Sequence, residues 1–208
     1  MRAPITSIGE VGIYVGERGY FFRPSFAAID SLGTPAEIVG MFAALHSSPK
    51  VNPIWPVESL RAYERDLLCI AYDVMLACSN DDITPLIGSM GSKWGSFSPG
   101  AMPSENMIPI ARSLLKHGVV GALPVTGKAN GSGDYMTEFN ARDFVSMAVA
   151  HLGMATDAAW NLTMTEFSGA MKAKYGEPQS KAPNLEKHKA AMSRLAEINK
   201  LRANQVKK

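Results

Sequence analysis

The sequence predicts a mainly α-helical domain that carries a small N-terminal β-hairpin and a basic C-terminal helix. Three observations lead there. Beyond Pro24, apolar residues recur every three or four positions, the repeat of one helical face. Between those runs, Gly, Pro, Ser and Thr stand where helices start and stop. Strand-like alternation is confined to residues 8–26. The chain divides accordingly into a hairpin (1–26), a helical body (27–176) and a basic tail (177–208). With 208 residues, 46% hydrophobic and 19% charged, it can bury a core of its own and does not read as disordered.

In the hairpin, Val11, Ile13 and Val15 alternate with Gly12 and Tyr14. Gly16 to Gly19 can turn, and Tyr20-Phe21-Phe22 can return. A lone hairpin is marginal in water, so it must lie on helices or on another chain. Phe26, Ile29 and Leu32 begin a short helix that Gly33 ends. Thr34 then suits an N-cap, Pro35 a first turn, and Glu37 the positive end of a helix running to about His46. Residues 47–56 hold three prolines and read as a loop.

The longest helix is expected over Val57–Ser79, with Leu60, Tyr63, Leu67, Ile70 or Ala71, Val74 and Cys78 on one face. Beyond Leu67 it is apolar nearly all round, which predicts an enclosed, central helix. Thr84–Ile87 adds one turn before a Gly/Ser/Met loop over 88–103. Ser104 is placed as the cap of a helix reaching Lys116, with Met107, Ile110, Ala111, Leu114 and Leu115 inward and Gly118 as its stop. After a glycine-rich loop, 124–135, Asn140 starts a helix closed by Gly153. Two short helices follow, over about 156–161 and 163–175.

Charge and compartment narrow the function. The net charge of +2 argues against a dedicated nucleic-acid binder. The tail carries eight Lys or Arg against three Glu, leaving residues 1–176 at −3. Cys69 and Cys78 lie nine helical residues apart, roughly 13 Å, too far for a disulfide. Both read as buried structural thiols of a reducing cytoplasm. Met1-Arg2-Ala3-Pro4 opens no apolar leader, and the longest apolar stretch is about half a membrane span, so no membrane partner is expected.

No catalytic set emerges. His46, His117 and His151 each fall in the last turn of an expected helix, where an imidazole meets free carbonyls. His188 lies in the tail, and no pair has metal-ligand spacing. Gly121 to Lys128 misses the phosphate-loop pattern twice, with five residues between its glycines and Ala129 in place of a hydroxyl residue. Asp81-Asp82 and Glu64-Arg65-Asp66 are adjacent residues that do not face each other. The reading is therefore no enzyme, no metal and no cofactor. Trp55 and Trp94 sit in loops, either anchoring an interface or folding back over the core edge.

The most informative run is Asp143–Gly176: a helix, a Gly stop, a short helix presenting Trp160, and a new start at Thr163. Thr163-x-x-Glu166 is a capping box, and Leu162 and Phe167 occupy the staple positions around it. Thr163 and Glu166 would set the angle of two short helices and put Trp160 and Phe167 on one corner.

Leu152, Gly153, Asp157, Trp160, Leu162, Thr163, Glu166 and Phe167 resemble the motif of tail assembly chaperones from long-tailed bacteriophages and gene transfer agents. That motif runs Leu-Gly, then Asp/Glu-x-x-Trp-x-Leu-Thr-x-x-Glu-Phe. The resemblance covers 34 of the 208 residues; the family's small members are shorter, and the motif leaves the hairpin and central helix unexplained. It implies a nonenzymatic protein of the infected bacterial cytoplasm that binds the tape measure protein and helps recruit tail tube protein. Trp160, Leu162 and Phe167 would then contact the partner, with Thr163 and Glu166 as a structural cap. Twelve methionines suit adaptable apolar binding. The basic tail would meet an acidic partner, or mark where a frameshifted extension attaches. The alternative is a virion subunit of the tail or neck, such as a tail-completion or head–tail connector protein, pairing through the hairpin's edge.

Overall fold

The computed structural model describes residues 3–47, 56–91, 97–122 and 137–176. Contacts divide the chain into two units, Met1–Pro124 with Gly133–Lys174, and Val125–Ser132 with Tyr175–Lys208. Almost all of the second lies outside the described residues, as do the expected loop over 124–135, most of the loop over 47–56, Trp55, Trp94, His188 and the basic tail.

The hairpin pairs β1 (Val11–Val15) with β2 (Arg18–Phe22) in antiparallel register, Val11 opposite Phe22 and Ile13 opposite Tyr20. Its turn is tighter than expected, only Gly16-Glu17. Gly16 supplies the positive φ (60°) that the first position of a two-residue loop with a negative second φ demands. Alternation sends Tyr20 and Phe22 into the core, with Val11 and Ile13 half-buried beside them. On the outer face Tyr14 meets Phe21 edge-on at 5.9 Å. The hairpin packs Tyr20 and Phe22 into the core that the helices form, one of the two settings expected of it.

Eight α-helices follow among the described residues: α1 (Phe26–Asp30), α2 (Pro35–His46), α3 (Val57–Ala77), α4 (Thr84–Ile87), α5 (Met107–Leu115), α6 (Ala141–Leu152), α7 (Thr156–Trp160) and α8 (Met164–Tyr175). A two-residue antiparallel pair, β3 (Ser89–Met90) with β4 (Phe97–Ser98), lies in the loop after α4. The fold is mainly helical with a small N-terminal sheet, as the periodicity predicts. The α2 cap is a full capping box: Thr34 Oγ1 accepts from Glu37 N while Glu37 accepts from Thr34 N at 2.7 Å. Glu37 thus serves a cap and not the dipole alone.

Packing centres on α1, which has only five residues yet touches α2, α3, α6 and α7. Phe26 and Ile29 make that possible; both are fully buried. Along the other side α3 packs on α5.

Three expectations need correction. The α3 helix is not enclosed: Leu67, Ala71, Val74 and Met75 are buried, but Cys69, Asp73 and Leu76 face outward. Asp73 stands between Cys69 and Leu76 on that stripe, and burying the stripe would bury an uncompensated carboxylate. Cys69 is accordingly exposed, and only Cys78 is a buried thiol. Ser104 does not cap a helix; it opens a 3₁₀ turn (Ser104–Asn106) with no side-chain cap bond. Nor does Gly118 stop α5. The helix widens into a π turn over Lys116–Val120 and ends at Gly121, whose φ of 82° leaves helical space. Gly118 is small because Ile29 lies against it: a Cβ there would stand 2.7 Å from Ile29 Cδ1.

The two thiols should behave differently. Burial pushes the Cys78 thiol up to about 12, and it also raises Cys69, helped by Asp73 and Asp66. In a timed thiol-reagent assay, the native chain should modify Cys69 alone, and slowly. Cys78 should react only in denaturant; equal native reactivity would contradict the assigned burial.

Candidate functional site

Two chain reversals build the corner singled out by sequence. α6 is capped by Asn140, whose side chain accepts from Arg142 N at 3.2 Å, and closes at Gly153. α7 then ends at Asn161, whose side-chain amide donates to Asp157 O at 3.0 Å. Thr163 restarts the helix through the expected reciprocal cap. Thr163 N donates to Glu166 Oε2 at 2.9 Å, and Glu166 N donates to Thr163 Oγ1 at 3.2 Å.

The predicted contact residues separate here. Trp160 and Leu162 are half-buried, each with part of its surface open at the edge of the core. Phe167 is only 6% exposed. Its ring packs edge-on against Phe144 at 5.6 Å and Phe26 at 6.0 Å, so it holds the corner from inside and has no face to offer a partner. Phe139 and Phe144, stacked at 5.3 Å, extend this aromatic cluster. Sequence spacing places Phe167 at the corner, but only the approach of Phe26 and Phe144 buries it.

A second layer of the site was not read from sequence. Arg23 donates from Nη2 to both Glu166 oxygens (3.0 and 2.8 Å), from Nη1 to Glu10 Oε1 (2.6 Å), and from Nε to Asn161 O (3.1 Å). Its backbone N–H meets Cys78 O at 2.7 Å, just past the end of α3. Glu10 is 5% exposed and also accepts from Ile5 N at 2.9 Å. Glu166 therefore serves the cap and the ion pair together. One guanidinium holds two carboxylates, and the Ile5 and Thr163 amides donate to the same two groups. The available signal was Arg23 itself, a lone charge ending the Tyr20-Phe21-Phe22 run.

The backbone adds two more links. Phe26 N donates to Leu162 O at 2.8 Å, and Ser25 bridges to Thr163 as a minimal antiparallel pair.

The histidines divide. His46 Nδ1 lies 2.9 Å from Phe42 O, the helix-end contact expected of it. His117 instead reaches across to α8, Nδ1 to Thr165 Oγ1 at 2.9 Å. Thr165 Oγ1 also accepts from Ala122 N at 3.1 Å and is 6% exposed, so the pair fastens the π turn to α8 and offers no open nucleophile. Among the described residues no three His, Cys, Asp or Glu side chains are placed to hold a metal ion. No helix among them is long and apolar enough to cross a membrane.

Removing Arg23 should be costly, because the buried Glu10 and the Glu166 cap both lose the guanidinium that donates to them. Arg23→Met should lower the unfolding free energy by about 3 kcal/mol in urea titrations. Adding Glu10→Gln and Glu166→Gln should restore part of it, since Gln keeps the cap but not the charge. No recovery in the triple variant would refute the charge account.

Burial pushes the His117 imidazole below the ordinary 6.5, and Lys116 adds repulsion. A depressed folded-state pKa means its stability contribution is complete above the unfolded value and is lost as pH falls through the folded one. The urea midpoint should drop between about pH 7.5 and 5.5, less steeply in His117→Gln. Equal slopes in the two proteins would remove His117 from the account.

The sequence model of DUF6246, a family of unknown function, matches residues 22–190. That span begins at the end of β2 and takes in Arg23, all eight helices and the whole corner. No curated protein and no solved structure matches the chain.

Proposed function

We propose that this chain, which belongs to the DUF6246 family, is a nonenzymatic assembly factor of the tail assembly chaperone kind. It holds a tape measure protein soluble by burying apolar helical stripes and passes it to tail tube protein. The observation that carries this reading is the corner itself. The residues that resemble the chaperone motif close into one clamped turn, with Trp160 and Leu162 half-exposed over a core held by Phe167. A rigid support under a partly exposed aromatic is the arrangement that concentrates binding energy, because little is lost in ordering it.

Co-expression with a cognate tape measure protein tests the proposal. Soluble tape measure should increase and the two chains should co-purify. Trp160→Ala should weaken that binding roughly thirty-fold, the effect of a hot-spot truncation, while thermal unfolding shows a retained fold. If the alanine variant does not fold, Trp160→Phe should keep the fold with a smaller loss of binding. Absence of both the solubility gain and the co-purification would overturn the proposal.

One observation favours a second reading, a subunit that stays in the virion. The β1–β2 sheet has only two strands, so each has an edge outside the pair on which a neighbour's strand could add. Quantitative mass spectrometry of purified particles separates the two. A fixed copy number per particle supports the structural subunit, and loss of the chain on maturation supports the chaperone.

A further inference from the structure

A groove of about 710 Å³ runs between the N-terminal half of α3 and the start of α5. Its apolar lining comes from the half-buried Leu68 and Ile108, which make the floor, and from the exposed Pro109. Its walls carry three guanidiniums, Arg61, Arg65 and Arg112, against two carboxylates, Glu64 and Glu105. The groove is thus locally positive on a body whose residues 1–176 sum to −3.

The three arginines are not equivalent. Arg112 is turned inward, its Nε donating to Leu45 O at the end of α2. Arg61 and Arg65 are exposed, one helical turn apart on the same rim, and neither has a hydrogen-bond or ion-pair partner among the described residues. Bare guanidiniums beside an apolar floor cost little in solvent and gain most when a carboxylate arrives with an apolar surface that excludes water.

We infer that this groove binds an amphipathic helix of a partner protein, one with an apolar stripe flanked by carboxylates one turn apart. The channel between two packed helices accepts a third helix lengthwise, and the stripe covers Leu68 and Ile108. Carboxylates four residues apart on that helix match the Arg61–Arg65 spacing. Nucleic acid presents its charges without an apolar stripe to cover Leu68 and Ile108, which disfavours it as the occupant. The groove shares no residue with the Trp160 corner, and the inference stands or falls separately from the assembly role.

Two fluorescent designed helical peptides test it on the full chain, with identical leucine stripes flanked by Glu in one and by Lys in the other. By fluorescence anisotropy the Glu peptide should bind about ten-fold tighter or better, the preference shrinking with added salt. Arg61→Glu with Arg65→Glu should reverse the order of the peptides; both sites are exposed, so circular dichroism should be unchanged. If that variant misfolds, Arg61→Gln with Arg65→Gln should abolish the preference. Equal affinity for both peptides, a preference unmoved by the folded variant, or displacement of the Glu peptide by duplex DNA at equal concentration would each overturn the inference.

Discussion

Arg23 ties together stretches of chain that are far apart in sequence. Glu10 precedes the hairpin, Cys78 follows α3, and Asn161 and Glu166 lie on either side of the α7–α8 turn. A planar guanidinium suits this task, because its fork can serve several acceptors in one plane where an ammonium would act as a point charge. The network also sets a condition on the rest of the fold. With Glu10 almost fully buried, separating the hairpin, α3 and the corner would cost it the guanidinium that joins them. The ion pair thus serves to select one arrangement, whatever its net contribution to stability.

Around that tie, short elements succeed because tertiary contacts hold them. α1 and α7 have five residues each and would not persist as isolated helices. Ser25 caps α1 by accepting from Ala28 N, Phe26 N reaches Leu162 O, and the rings of Phe26, Phe144 and Phe167 fill the space between. The π turn after α5 belongs to the same economy of contacts. It lets Gly118 accept Ile29 and brings His117 to Thr165, closing the gap between α5 and α8.

What this architecture turns outward differs in kind from what it encloses. The polar groups that come together inside it, Arg23 with its carboxylates and His117 with Thr165, are engaged with one another. Among the described residues the outward features are of a different type: a half-exposed Trp160 on a clamped corner, an arginine-lined groove with apolar side chains, and a sheet of only two strands.

Local chemistry was legible in the sequence wherever its partners lie within about four residues. The bounds of α2, α3 and α6, the Asn140 cap and the Thr163–Glu166 box follow from such neighbours, and the helical class follows from their periodicity. The same short range explains the failures. Periodicity reported that α3 was apolar beyond Leu67, but whether Cys69 faced protein or water depended on how many helices came to surround it. Gly118 carried the local signature of a stop, while its actual role is set by Ile29, distant in sequence. Phe167 and Arg23 were visible as residues, yet their places were decided by chain segments more than a hundred residues away. The sequence by itself determined which segments would be helices and how each would begin. Only tertiary packing decided which of their side chains met one another and which stayed exposed, because burial is a property of the assembled surfaces and of no single segment.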